Sequence, residues 1–235
     1  MKILAAVAAL AVGSIASADM VAYWTFPDTV PPGADNFKIT WPLSATFSAG
    51  GIANASTDGL VWDGTPAPAA TGQGLFQYFS GTTVNLQPGY VAGSRLAMRS
   101  LSGAAEGKSI TWRFDTSNYK DIVMTFAERA TGSGATTISI STSTDGVNFT
   151  AAPALTITSP RDSNFALRTL NMASMDNLEF QSAVYVKMTF TGFSSSSSTG
   201  NSALDNVLVS GTFVPTPGTL AVLGLAGLVA RRRRN

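Results

Sequence analysis

Short runs of alternating polar and apolar residues fill the chain from residue 19 to about 213, with Gly, Ser, Asn, Asp and Pro between them. A period of two is what a strand shows when one face meets a core and the other meets water. Almost nothing repeats at the 3.6-residue period of a helix. Residues 109–115 (SITWRFD) put Ile110, Trp112 and Phe114 on one face. Residues 121–127 put Ile122, Met124 and Phe126 on one face and Val123, Thr125 and Ala127 on the other. In residues 183–191 (AVYVKMTFT), Val184, Val186, Met188 and Phe190 line up. Residues 135–143 (ATTISISTS) alternate isoleucine with hydroxyl side chains, and runs at 20–26, 94–100, 165–172 and 203–213 complete the set. Asp145-Gly146 is a hairpin signal that predicts a return strand through Val147, Asn148 and Phe149.

Nine or ten such runs at roughly regular spacing predict an all-β protein, a two-sheet antiparallel β-sandwich, with no room for parallel crossovers. Residues 50–74, rich in Gly, Ala, Pro and Thr, read as loops around a short strand at 60–62. Five consecutive serines, 194–198, predict a flexible loop tip between the last two strands. The Ser-Thr-Asp-Gly-Val-Asn-Phe stretch and the closing Leu204-Asp205-Asn206-Val207 strand resemble those of jelly-roll modules in extracellular bacterial proteins. That resemblance implies a jelly-roll topology of the kind found in carbohydrate-binding and adhesion modules.

The ends do not follow this pattern. Met1 and Lys2 precede an apolar run from Ile3 to Val12, and Ala16-Ser17-Ala18 follows. This is the order of a secretory signal peptide, residues 1–18, with Ala16 and Ala18 at the cleavage site, read by the Sec export machinery. At the other end stand Pro215-Thr216-Pro217-Gly218, an apolar stretch from Thr219 to Ala230 and the cluster Arg231, Arg232, Arg233 and Arg234. A dozen apolar residues make a short transmembrane helix, helped by snorkelling arginines that the positive-inside bias holds in the cytoplasm. Residues 214–235 resemble the PEP-CTERM sorting signal of exosortase substrates: a Pro motif, a short apolar helix and an Arg cluster, in that order. Thr216 stands where that family usually has Glu. The resemblance implies export, transient membrane anchoring, processing near the Pro motif by an exosortase-like enzyme, and release or attachment at the cell surface.

Composition then narrows the chemistry. The chain of 235 residues has neither Cys nor His, so disulfides, thiolate nucleophiles, Ser-His-Asp triads and Cys- or His-ligated metals are excluded. Without both ends, residues 19–213 keep ten basic residues against fourteen acidic, a net charge of about −4. Such a body lacks the clustered basic face that nucleic acid requires. The route left to hydrolysis is a pair of carboxylates, and Glu106, Glu128 and Glu179 are far apart in sequence. Glu128, beside Arg129, reads as a solvated edge or an ion pair. Asp35, Asn36, Asp205 and Asn206 are candidate ligands for a structural Ca2+, against a reading of Asp205 and Asn206 as turn-forming side chains. For sugar, an exposed ring is needed, and Trp62 with Asp63, then Trp41, are the candidate contacts; Trp24 and Trp112 belong to the core.

The sequence therefore predicts a secreted or surface-held, non-catalytic β-sandwich, a structural, matrix or adhesion component sorted by its tail. The alternative is a carbohydrate-binding module that binds polysaccharide at the surface, and behind it a carboxylate-dependent glycoside hydrolase or lyase. Mass spectrometry of the protein recovered from its native cells is expected to find a start at Asp19 and an end between Pro215 and Pro217. An intact tail ending at Asn235 would overturn the sorting reading.

Overall fold

The computed structural model describes residues 18–26, 39, 41–57, 75–197 and 199–215. Fourteen strands in chain order, β1 to β14, form two seven-stranded antiparallel sheets in a jelly-roll-like sandwich. The front sheet runs β12 (Ala166–Asn171), β8 (Tyr119–Ala130), β14 (Asn201–Phe213), β1 (Asp19–Trp24) and β3 (Phe47–Ser48). Beside β1, the first part of β14 pairs with β6 (Ser94–Arg99), which pairs with β5 (Phe76–Ser80). The back sheet runs β10 (Thr150–Ala151), β9 (Thr137–Ser143), β13 (Val184–Thr191), β7 (Lys108–Phe114), β4 (Asn54–Thr57) and β2 (Leu43–Ser44). β11 (Ile157–Thr158) also pairs with β9.

The period-two pattern sets which residues meet between the sheets. Ile122, Met124 and Phe126 of β8, with Leu204, Val207 and Val209 of β14, face Ile110, Trp112 and Phe114 of β7 and Val184, Val186, Met188 and Phe190 of β13. Trp24 and Trp112 cross the interface edge to face, with ring centroids 5.1 Å apart. Each such side chain contributes on the order of 1.5–3 kcal/mol when it leaves water.

Three local expectations are corrected. Val147 is 79% exposed and pairing resumes only at Thr150, opposite Thr142. The Asp145 carboxylate explains this, because it accepts the N–H groups of Val147 and Asn148 and the side-chain amide of Asn148, and so holds a longer loop in place of a two-residue turn. The serine run is not a free tip. Ser194 donates its N–H to Ser133 O and accepts from the Ser100 hydroxyl, and Ser197 O accepts from the Ser102 N–H. Of the two readings of Glu128, the solvated edge falls and the ion pair holds, with Arg168 in place of the adjacent Arg129: the carboxylate sits on the core-facing side of β8, almost fully buried, in line with Phe126. The segment 60–62 lies outside the described residues.

Arg168, diagonally across on β12, gives Glu128 two charge-assisted hydrogen bonds of 3.0 and 2.9 Å, and the Ser159 hydroxyl gives a third of 2.9 Å. Arg168→Leu is expected to lower unfolding free energy in urea by about 3–5 kcal/mol, because a buried carboxylate is left without its counter-charge. The double replacement Glu128→Leu with Arg168→Leu should lose much less. Equal losses in the two variants would mean that packing, not charge, holds this edge.

Candidate functional site

Each sheet has one face toward solvent, and the two differ in chemistry. On the back sheet, residues paired across the strands form the rows Ser141–Lys187–Thr111–Ser56 and Ser139–Thr189–Ser109, a surface of hydroxyl groups. Its cations rest on rings: Lys187 lies 4.0 Å from the centroid of Phe149 and Arg113 lies 5.9 Å from that of Tyr185.

The front sheet is divided by an irregularity in β14. Asp205 pairs with Ala127 of β8, but the next pair is Leu208 with Thr125, so β14 carries one extra residue, and Asn206 adopts φ +47°. Before this bulge β14 pairs with β6; after it, with β1. The bulge aims two polar side chains at the loop that joins β5 to β6. Asp205 accepts the N–H of Thr82 at 2.7 Å and that of Asn206 at 2.8 Å. Asn206 donates to Thr82 O and Val84 O at 2.8 and 2.9 Å and accepts the Tyr23 hydroxyl at 3.2 Å. Asn85 returns a 2.6 Å bond to Asn206 O, and Tyr90 meets the Tyr23 ring edge to face at 4.8 Å. That half of the front face is therefore closed by its own loop. Burial, the largest cause, pushes the Tyr23 hydroxyl up to about 12.

The other half carries the candidate site. Its rows, read across the paired strands, are Gln77–Ala97–Ala203–Arg129, Phe79–Arg95 and Asp205–Ala127–Leu167. Three alanines, all fully buried, floor the middle, and larger planar groups stand around it. The Arg95 guanidinium lies 5.1 Å from the Phe79 centroid and 5.6 Å from that of Phe165, just before β12; Arg129 lies 5.6 Å from the same Phe165 ring. Burial and then the neighbouring Arg129 charge bring Arg95 down to about 10. Gln77 Oε1, Arg95 Nε, Arg129 Nε and Asn201 Oδ1 are buried and have no hydrogen-bond partner among the described residues. Unspent polar atoms gathered on one face beside half-buried rings are what a ligand site offers. By contrast, an open depression of about 550 Å3 beside β12, lined by Ala154, Leu155, Thr169, Asn171, Ala173 and Ser174, holds no charged group.

Of the residues singled out by sequence, Asp205 and Asn206 come together, but they serve the bulge and the loop. Their oxygens meet N–H and O–H donors, the arrangement of turn-forming side chains rather than of a cation cage. Among the described residues no group of three or more acidic side chains gathers. Trp41 packs edge to face on Phe76 at 5.1 Å and lies partly buried against the core. Ala18 and Pro215 stand at the ends of the described residues. Ala16, Asp35, Asn36, Trp62, Asp63, Thr216, Pro217, Gly218, Arg231, Arg232, Arg233 and Arg234 lie outside them. Each glutamate has a structural partner: Glu106 accepts the N–H groups of Gly192 and Phe193, Glu128 pairs with Arg168, and Glu179 accepts the N–H of Asp121. No described helix is long and apolar enough to cross a membrane. Sequence reasoning missed Arg95 and Arg129; the usable signal was Arg95-x-Ala97-x-Arg99, whose period of two puts both arginines on the face away from Leu96 and Met98.

No family model matches this chain, and no curated protein does. Among solved structures it is similar to a xylan-binding module of family 15, at 9% identity over 71% of this chain and 100% of that one, TM-score 0.39. It is also similar to a family 61 carbohydrate-binding module in complex with β-1,4-galactotriose, at 7% identity over 67% of this chain and 86% of that one, TM-score 0.37. The K2 cleaved adhesin domain of Lys-gingipain matches at 15% identity over 66% of this chain and 98% of that one, TM-score 0.37. At such scores the likeness says nothing about which residues of this chain touch a ligand.

Asp205 gives this face a measurable signature. Burial, outweighing the Thr82 and Asn206 N–H bonds and the Arg95 charge, raises its carboxyl from 3.8 to about 6. The folded state thus holds this proton more tightly than the unfolded chain, so stability rises as pH falls through 6 and the gain is complete below about 4. The full effect is at most about 3 kcal/mol. Urea midpoints are expected to increase from pH 7 to pH 5 in the native protein and to stay level over that interval in Asp205→Asn.

Proposed function

We propose that the body is an exported, non-catalytic binding module whose front face takes a glycan outside the cell. The observation that supports this is the Arg95 guanidinium layered between Phe79 and Phe165, with unpartnered polar atoms of Gln77, Asn201 and Arg129 beside it. Planar, weakly hydrated groups pack on the C–H faces of pyranose rings, while fixed donors and acceptors take the ring hydroxyls. A site made of rings and hydrogen-bonding groups, with every glutamate engaged elsewhere, binds sugar without cleaving it.

Delivery follows from the two ends. The Sec-type leader exports the body, and the tail holds it at the membrane until an exosortase-like enzyme processes it near Pro215 and Pro217. A sugar-binding body delivered in this way works as a matrix or adhesion component that holds surface polysaccharide.

Retention on a panel of insoluble polysaccharides, followed by titration with soluble oligomers of the best binder, tests the reading. Phe79→Ala and Phe165→Ala are each expected to weaken binding by about tenfold, or roughly 1.4 kcal/mol. Phe149→Ala, on the back sheet, should leave binding unchanged. Retention by none of the polysaccharides, or equal losses in all three variants, would overturn the front-face assignment.

A further inference from the structure

We infer that the glycan is acidic, and that Arg95 and Arg129 together hold a carboxylate or sulfate group of the sugar chain. This rests on the glycan-binding reading of the same face and adds the chemical class of the ligand.

The starting point is a mismatch of charge. Arg95 and Arg129 lie over one ring, Phe165, each at 5.6 Å from its centroid. Like charges this close repel, and at Arg95 the repulsion from Arg129 outweighs the attraction of Asp205. The buried carboxylate of Glu128, by contrast, is matched by Arg168 at 2.9 Å. Among the described residues, neither Arg95 nor Arg129 has an acidic group within 4.0 Å. The Asp205 charge acts on Arg95 from beyond 4.0 Å, but its two oxygens are turned to the N–H groups of Thr82 and Asn206.

Donor accounting points the same way. Arg95 uses one N–H, a 2.8 Å bond from Nη1 to Ser80 O. The Arg129 side chain makes no hydrogen bond among the described residues, and because the Nε of each is buried, the terminal amino groups are the donors left for a ligand. A guanidinium presents five N–H groups in a planar fork that matches the two oxygens of a carboxylate or a pair of sulfate oxygens. Two such forks, stacked on a ring and short of acceptors, are completed by an anion from outside. A neutral sugar supplies hydroxyl acceptors but leaves the two charges opposed. The body as a whole is acidic, so this cationic pair runs against its surroundings and local geometry must do the selecting.

The test uses three soluble polymers with the secreted full body. Polygalacturonate carries carboxylates; its fully methyl-esterified form has the same sugar without the charge; dextran sulfate carries sulfate. Affinity electrophoresis or calorimetry is expected to give at least tenfold tighter binding to one of the two acidic polymers than to the ester. Arg129→Gln should remove at least tenfold of that preference, Arg129→Lys should restore part of it, and Lys187→Gln on the back sheet should change nothing. Whichever acidic polymer binds more tightly identifies the source of the anion. Urea midpoints of the Arg129 variants report whether the fold is intact. Equal binding to polygalacturonate and its ester, with no preference for the sulfated polymer, would overturn the acidic assignment and leave the glycan reading standing. Acid-selective binding that Arg129→Gln does not reduce would overturn the role of the pair. Binding to none of these polymers, nor to any neutral polysaccharide, would end both readings.

Discussion

One extra residue in the last strand organises the front of this molecule. β14 is the central strand of its sheet, and at Asp205 and Asn206 it carries a residue that β8 does not match. A strand without that bulge would keep one neighbour along its whole edge; this one takes β6 on one side of the break and β1 on the other. The bulge also turns a buried carboxylate and a buried amide outward, which fixes the β5–β6 loop over Tyr23. The closed half of the front face and the half that bears Arg95 and Arg129 are two results of a single insertion. Bulges commonly re-aim side chains near binding sites, and here the physical route is visible in individual hydrogen bonds.

Much of the sandwich was legible because its strands have one wet face. Ile110, Trp112 and Phe114, and Val184 to Phe190, alternate cleanly, and the structure buries those positions. The two-residue strands β2, β3, β10 and β11 are too short to carry a period. β5 (FQYFS) is apolar on both faces, since Phe76 and Tyr78 enter the core while Phe79 meets Arg95, so alternation could not announce it. Asp145-Gly146 misled for a related reason: the carboxylate competes with the strand for backbone N–H groups, a local preference that a dipeptide signal does not contain. The site was the least legible part. Aromatic residues drew attention by type, whereas Arg95 and Arg129 matter because two strands distant in sequence place them over one ring.

The charged groups fall into two populations. Glu106, Glu128 and Glu179 each satisfy backbone or side-chain donors at a loop or a sheet edge, so they belong to the architecture. Asp145 does the same, and four hydrogen bonds hold its carboxyl well below the usual carboxylate range. The front-face arginines are different: among the described residues neither has an acidic group within 4.0 Å, although Arg95 bonds Ser80 O and its charge acts on Asp205. Acids committed to structure and two arginines without an ion-pair partner on one face are the division on which the proposed binding role rests.

The β5–β6 loop leaves the sheet through a narrow neck, where Gly81 N–H meets Gly93 O at 2.9 Å and a Cβ on Gly81 would fall 2.6 Å from Asp205 Oδ2. Only glycine passes there without displacing that carboxylate. Because its two feet stand side by side, residues added at the tip of the segment would cost little loop-closure entropy, whereas loss of Thr82, Val84 or Asn85 would strand the buried polar groups of Asp205 and Asn206. The closed half of the front face is thus a one-way device, tolerant of growth at its tip and intolerant of loss at its base.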